Sequence, residues 1–136
     1  MNSTSKDTQP SLRRVLTIDD VPVFTRLIQL SLESSGAYEV KAVNQSRDAI
    51  NVARDFKPQL ILLDIVMPLV NGNEIASLLS RDPQTKDIPI IFLSGYCPDS
   101  AESGKLCVFD GKQFIPKPVF RENLLQIVDE IFANCT

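Results

Sequence analysis

The sequence predicts a doubly wound α/β fold, in which helices cover both faces of a parallel sheet. Short apolar runs rich in β-branched residues alternate along the chain with segments of helical period. Strands of continuous apolar character are buried on both faces, which is typical of parallel strands joined by right-handed crossovers. A length of 136 residues with 43% hydrophobic side chains suits one such domain.

Five strands and five helices alternate in this prediction, giving three layers, α/β/α. β-branched and leucine side chains dominate most of the strand segments, which lie between turn-forming or charged residues. The predicted strands are Arg14 to Ile18, Glu39 to Val43, Leu60 to Leu63, Ile88 to Leu93 and Gln113 to Ile115.

The first predicted helix runs from about Val21 to Ser34. Pro22 suits its first turn, where the missing N–H would have no intrahelical acceptor, and Gly36 ends it. The apolar face of this helix is predicted to consist of Val23, Leu27, Ile28, Leu30 and Leu32.

Four further helices are predicted after the later strands. The segment between Asp99 and Phe109 has the weakest helical signal, because its apolar face is thin and Gly104 lowers helix propensity. The other three are expected at about Ser46 to Phe56, with Ala49, Ile50, Val52 and Ala53 inward, at about Gly72 to Ser80, and at about Arg121 to Asn134, with Leu124, Leu125, Ile127, Val128, Ile131 and Phe132 inward.

The chain is predicted to comprise a disordered leader, residues 1–11, and one domain, residues 12–136. The leader is polar and carries no periodic apolar face. It also lacks the apolar core of a signal peptide, and no apolar run approaches the ~20 residues of a membrane span. We therefore expect a cytoplasmic protein.

Composition excludes several classes of function. With no histidine, the chain cannot build a Ser-His-Asp triad, an HExxH zinc site or a phosphohistidine carrier. The three cysteines, Cys97, Cys107 and Cys135, lack Cys-x-x-Cys spacing, so we expect reduced, structural thiols. A net charge of −3 without a basic stripe argues against direct nucleic-acid binding.

Polar residues follow four of the five predicted strands. Asp19 and Asp20 end the first, Asp64 the third, Ser94 the fourth and Lys117 the fifth. Ligands of such folds bind beyond the carboxyl ends of the strands, so these side chains should meet at one edge. Each residue alone could be a helix cap, a turn residue or a surface charge, but their joint placement indicates a site.

The chemistry of this set is suited to phosphoryl transfer. Three neighbouring carboxylates repel one another, and Mg²⁺ is the cation that an all-oxygen site of this size favours. Asp64 projects from a rigid strand end and is the candidate nucleophile, while Asp19 and Asp20 are placed to hold the metal. Lys117 and Ser94 can contact a phosphoryl oxygen.

With these residues the chain resembles the receiver domain of bacterial two-component response regulators, over about Arg14 to Asn134. The resemblance is to a stand-alone, single-domain receiver of the chemotaxis type. The matching pieces, in order, are Asp19-Asp20 after the first strand, Asp64 followed by Pro68 and Gly72, Ser94 after the fourth strand, and Lys117-Pro118 after the fifth.

The resemblance implies a flavodoxin-like strand order 2-1-3-4-5 and a set of roles. Asp64 would accept phosphate from a sensor histidine kinase or a phosphotransfer protein. Magnesium would be held by the carboxylates of Asp64, Asp19 and Asp20 and by the backbone carbonyl of Val66. Of these residues, Asp20 would be a direct ligand. Lys117, preceding a cis peptide bond to Pro118, would contact Asp64 and then the phosphoryl group. Two switch residues are implied, Ser94 and Phe114.

The implied protein is a signalling phosphoacceptor that assists its own phosphoryl transfer and dephosphorylation, not an enzyme. Phosphorylation would change a surface formed by the fourth helix, the fifth strand and the fifth helix, and this surface would dock a downstream protein. We expect a stand-alone receiver because no output domain follows in the sequence. A homodimer is left open.

Three other functions are compatible with the layered fold. A flavodoxin-like electron carrier would need a Ser-, Thr- or Gly-rich loop after the first strand, where two carboxylates stand. An aspartate-nucleophile phosphatase would need an acidic residue two positions after Asp64, where this chain has Val66. A non-phosphorylated protein-interaction module, which keeps the fold without the chemistry, is the more serious alternative.

Overall fold

The computed structural model of the protein describes residues 12–65, 71–94, 105–109, 112–117 and 121–133. Several sequence predictions lie outside these residues. They are the disordered leader, the metal-ligating carbonyl of Val66, the cis peptide bond between Lys117 and Pro118, and the states of Cys97 and Cys135.

A six-stranded sheet forms the centre of the molecule, with spatial order β2-β1-β3-β4-β6-β5. Five of the strands pair in parallel, in the order β2-β1-β3-β4-β6. This confirms the predicted order, since β6 contains the last predicted strand. The strands are β1 (Arg13–Ile18), β2 (Tyr38–Val43), β3 (Leu60–Ile65), β4 (Ile90–Ser94), β5 (Cys107–Phe109) and β6 (Lys112–Pro116).

The sixth strand corrects the prediction of a helix between Asp99 and Phe109. Cys107–Phe109 form β5, which pairs antiparallel with β6, so the helix is wrong over these residues and the sheet has one strand more than predicted. Val108 and Phe109 favour extended backbone. Only Asp110 and Gly111 separate the paired residues Phe109 and Lys112, which is the spacing of a two-residue hairpin. Residues 99–104 lie outside the described part.

Four helices are described, and each matches a predicted helix to within about three residues. They are α1 (Pro22–Glu33), α2 (Ala49–Phe56, after a 3-10 turn at Ser46–Asp48), α3 (Asn71–Arg81) and α4 (Arg121–Ala133). Gly36, with φ +81°, and Lys57, with φ 53°, adopt left-handed backbone just after α1 and α2. Among the described residues, no helix has the length and apolar character needed to cross a membrane.

The core lies on both faces of the sheet. Val15, Leu62 and Leu93 face α1 and α4, whereas Leu16, Leu63 and Phe92 face α2 and α3. The inward residues predicted for α2 and α4 are confirmed, since all of them are buried or packed against these two clusters.

Helix α1 differs from its predicted orientation. Leu32 is buried and Ile28 packs against the core, but the other predicted inward residues, Val23, Leu27 and Leu30, are 58%, 55% and 50% exposed. The helix carries apolar residues on two sides, and the side containing Thr25 faces inward. Burial of Thr25 is compensated because its hydroxyl donates to the Pro22 carbonyl, 3.0 Å away.

Tyr38 connects the sheet to α4 at the edge opposite the predicted site. Its buried hydroxyl donates to the Asp129 carboxylate, and its ring lies 5.7 Å from that of Phe132. Burial, together with the bond to Asp129, raises the pKa of Tyr38 well above its usual value. The hydroxyl therefore remains a donor at any physiological pH.

Replacement of Tyr38 by Phe is expected to lower the free energy of unfolding by about 1 kcal/mol, because one hydrogen bond to a partly solvated carboxylate is lost. Urea unfolding of the two proteins measures the difference. Asp129→Asn, which keeps an acceptor oxygen, is the matched control and should cost less. Equal stability of Tyr38→Phe and the wild type would contradict the prediction.

Candidate functional site

Asp19 is placed at the site by the end of β1. Its N–H donates to the Val43 carbonyl at 3.0 Å, which fixes the main chain beside β2. One side-chain oxygen, Oδ1, accepts a hydrogen bond from the N–H of Val21 at 3.0 Å. The other oxygen, Oδ2, is buried without a hydrogen-bond partner. Asp19 therefore has a local structural role at the start of α1 and retains one carboxylate oxygen for a ligand.

Asp64 lies near the carboxyl end of β3, where it pairs with Leu93 of β4. Its side chain is only 4% exposed. Oδ2 forms an ion pair with the Lys117 ammonium at 2.5 Å, whereas Oδ1 is buried without a hydrogen-bond partner. One oxygen is thus neutralised by the protein and the other is available for another charge.

Lys117 follows β6 and is held by both its main chain and its side chain. Its N–H donates to the Ser94 carbonyl at 2.8 Å, which joins the ends of β6 and β4. Besides its contact with Asp64, the ammonium lies 4.8 Å from the centre of the Phe24 ring on α1. The structure therefore brings Lys117 together with Asp64 through its side chain and with Ser94 through the main chain.

Ser94 and Phe114 lie on the same face of the sheet. Phe92 pairs with Phe114, and Ser94 pairs with Pro116. Side chains alternate along a strand, so Ser94 shares its face with Phe92, and Phe114 is its diagonal neighbour. Both residues are buried, at 2% and 7% exposure. The two side chains are therefore diagonal neighbours on one face of the sheet.

The paired acids carry an electrostatic cost. Burial raises the pKa of Asp19 to about 7, and the charge of Asp64 adds to this rise, whereas the hydrogen bond from Val21 opposes it. Two buried oxygens without partners, Asp19 Oδ2 and Asp64 Oδ1, lie in this region. Hard anionic oxygens of this kind fit Mg²⁺, which would relieve both the repulsion and the missing hydrogen bonds.

The protein side chains alone do not complete a metal site. Within the described residues, no three Asp, Glu, Cys or His side chains are grouped closely enough to hold a metal ion. Asp20 is exposed and directly follows Asp19. Mg²⁺ keeps several water ligands and often takes only one or two carboxylates, so a pair of carboxylates such as those of Asp19 and Asp64 fits its preference.

Two residues at the site were not singled out from the sequence. The Asn44 side chain, directly after β2, donates to the Asp19 carbonyl at 2.8 Å and to the Thr25 hydroxyl at 2.9 Å. Asn44 could have been recognised from the sequence because it directly follows a strand, at the same edge of the sheet as the acids. Phe24, whose ring contacts Lys117, gave no signal beyond its position on the helix after Asp20.

A cleft of about 440 Å³ runs from this cluster along α1. Asp19, Asp64 and Lys117 line its polar end. The remainder is mainly apolar and is formed by Phe24, Leu27, Ile28 and Leu93, with Thr17 and Thr25. The acids are therefore reached from solvent beside the exposed side of α1.

Comparison with known proteins shows a consistent similarity. Residues 15–129 match the family described as response regulator receiver domain. The chain is 32% identical over 127 residues to the protein PilH of Pseudomonas aeruginosa, covering 90% of this chain and 100% of PilH. It is 28% identical over 122 residues to the polar-differentiation response regulator DivK of Brucella anthropi, covering 90% and 98%.

The fold is similar to that of solved structures as well. The chemotaxis response regulator CheY4 of Vibrio cholerae superposes with a TM-score of 0.70 and 22% identity, covering 89% of this chain and 99% of CheY4. This likeness concerns the fold.

Proposed function

Because the chain belongs to the response regulator receiver domain family, we propose that Asp64 is the residue that accepts the phosphoryl group in two-component signalling. The observation that carries this proposal is the state of its buried carboxylate. One oxygen is paired with Lys117, and the other has no hydrogen-bond partner. A nucleophile at a rigid strand end, next to a positively charged side chain, is what phosphoryl transfer to a carboxylate needs.

Magnesium would be held by Asp19 and Asp64, together with Asp20 and the main-chain carbonyl of Val66. When bound, it would neutralise charge on the transferred phosphoryl oxygens. The unpaired oxygens of Asp19 and Asp64 support this assignment. Asn44 supports it indirectly, because its hydrogen bond to the Asp19 carbonyl holds the end of β1 in position.

In the proposed reaction, an Asp64 oxygen attacks the phosphorus of a phosphohistidine on a kinase or a phosphotransfer protein. The new bond joins oxygen to phosphorus, and the phosphorus–nitrogen bond breaks. The leaving imidazole takes up a proton. Lys117 moves from the carboxylate towards a phosphoryl oxygen, and later attack of water on the acyl phosphate restores the carboxylate. The protein thus acts as a phosphoacceptor without a substrate of its own to turn over.

Ser94 and Phe114 would transmit the change. The Ser94 hydroxyl would bind a phosphoryl oxygen, and the Phe114 ring would then occupy the space beside it. Their common face of the sheet supports this coupling. The altered surface would include β6 and α4, with the edge strand β5 in place of the predicted helix, and would dock a downstream protein.

The proposal is tested by incubating the protein with acetyl phosphate and Mg²⁺ and measuring its intact mass. We expect the mass increase of one phosphoryl group, lost on treatment with hydroxylamine, which cleaves acyl phosphates. Omission of Mg²⁺ should suppress the increase. A protein that takes up no phosphoryl group from acetyl phosphate or from any phosphorylated histidine kinase would instead be an interaction module that has kept only the fold.

The exposed side of α1 is the proposed contact for the phosphate-donating protein, because Val23, Leu27 and Leu30 are exposed apolar residues of this helix and Leu27 also lines the cleft. Leu30→Asp should slow transfer from a histidine kinase that phosphorylates the wild type by about tenfold, a loss of ~1.4 kcal/mol. The rate with acetyl phosphate should not change.

Leu78→Asp is the matched control for this experiment, since Leu78 is 48% exposed on α3. Transfer from the kinase should continue at the wild-type rate in this variant. Equal slowing by Leu30→Asp and Leu78→Asp would place the contact elsewhere.

A further inference from the structure

The Lys117 ammonium has two different partners within the described residues. Asp64 Oδ2 lies 2.5 Å away, and the centre of the Phe24 ring lies 4.8 Å away. Both partners line the same cleft, where the Lys117 side chain is 27% exposed. The ammonium therefore has a carboxylate and an aromatic ring as neighbours and retains access to solvent.

We infer that Phe24 is a positioning residue for phosphoryl transfer, acting through Lys117. The inference rests on the proposed function of Asp64 and deepens it. Lysine has a flexible four-carbon stem, and its hydrated ammonium is readily drawn into water. The ring of Phe24 attracts the cation electrostatically without accepting a strong hydrogen bond from it. It thus restrains the ammonium to the mouth of the cleft.

An aromatic partner suits the proposed movement of Lys117 better than a second carboxylate. The ammonium has to leave Asp64 and contact a phosphoryl oxygen when the group arrives. A carboxylate beside it would compete with that oxygen for the same donors, whereas a ring attracts the ammonium without accepting a strong hydrogen bond from it. Removal of the ring should therefore lower the rate of transfer rather than abolish it.

Phe24 is also 44% exposed on α1, so its loss could act on partner docking instead. Acetyl phosphate separates the two roles, because a small donor needs no docking surface. We compare Phe24→Leu, which keeps apolar volume but removes the ring, with Phe24→Tyr, which keeps the ring face. Leu78→Ala on α3 removes an exposed apolar side chain away from the cleft.

The initial rate of phosphorylation by acetyl phosphate at saturating Mg²⁺ should fall about two- to fivefold in Phe24→Leu, equivalent to ~0.4–1 kcal/mol at 1.36 kcal/mol per factor of ten. Phe24→Tyr should retain the wild-type rate, and so should Leu78→Ala. A wild-type rate in Phe24→Leu, or equal losses in Phe24→Leu and Phe24→Tyr, would overturn the inference.

A second measurement does not depend on phosphorylation. In metal-free protein, the ε-methylene protons of Lys117 should be shifted upfield by the ring current of Phe24, with Lys117→Arg used to assign the signal. The shift should persist in Phe24→Tyr and disappear in Phe24→Leu. If the wild type takes up no phosphoryl group, the proposed function fails and the role of Phe24 in phosphoryl transfer fails with it. The shift then still distinguishes the two failures: its loss only in Phe24→Leu shows that the ring positions the Lys117 ammonium, and an unchanged signal refutes that contact as well.

Discussion

Replacement of Asp64 by Asn is expected to abolish covalent phosphorylation altogether. The amide is a far weaker nucleophile than the carboxylate and cannot form an acyl phosphate. Asn has nearly the same volume, so the packing of β3 between β1 and β4 should be preserved. The variant should show no phosphoryl mass after incubation with acetyl phosphate and Mg²⁺, under conditions in which the wild type is labelled.

The control for this experiment is Asp87→Asn, which changes an exposed carboxylate in the turn before β4. It should be phosphorylated like the wild type. Circular dichroism and urea unfolding establish that both variants are folded. Phosphoryl mass on folded Asp64→Asn would show that another residue is the acceptor and would remove the basis of the proposed reaction.

Replacement of Asp19 by Asn is expected to stabilise the metal-free protein at neutral pH by about 2–4 kcal/mol. In the folded protein, burial and the neighbouring Asp64 raise the pKa of Asp19 to about 7, compared with about 4 for an unfolded chain. Because the folded state holds this proton more tightly, its contribution to stability is fully present below about pH 4. It is lost as the pH rises towards 7, and the uncharged amide avoids that loss.

In the wild type, Mg²⁺ should offset the loss of stability that ionisation of Asp19 causes. At pH 7.5 the metal binds the folded state and should raise its free energy of unfolding, whereas Asp19→Asn should respond weakly, having lost one anionic ligand. Urea unfolding at pH 5 and 7.5, with and without Mg²⁺, measures both effects, with Asp87→Asn as the control. The metal site would need to be reassigned if Mg²⁺ stabilised Asp19→Asn as much as the wild type.

The parallel part of the sheet was predictable because its strands are long apolar runs, and long runs carry a signal that single substitutions do not remove. The site followed from the same reasoning. Once Asp19, Asp64 and Lys117 were assigned to strand ends, the topology required them to meet. Their ion pair and unpaired oxygens depend on side-chain conformation, which the sequence does not encode locally.

Two features could not be read from local sequence for physical reasons. β5 has three residues, too few to show a period, and it exists because a nearby strand pairs with it. In α1, apolar residues lie on two sides, so periodicity alone did not show which side is buried. The Thr25 hydroxyl also accepts a hydrogen bond from the Asn44 side chain, which follows β2 and is distant in the sequence.

β5 also bears on how copies of the protein could associate through the edge of the sheet. In the described part of the chain it is the outermost strand beside β6, so β6, which precedes Lys117 and contains Phe114, has hydrogen-bonded neighbours on both sides. An unpaired β6 would present a five-residue template to strands of other molecules, whereas β5 presents only three residues. We therefore expect this short edge strand to limit edge-to-edge association of copies of this protein.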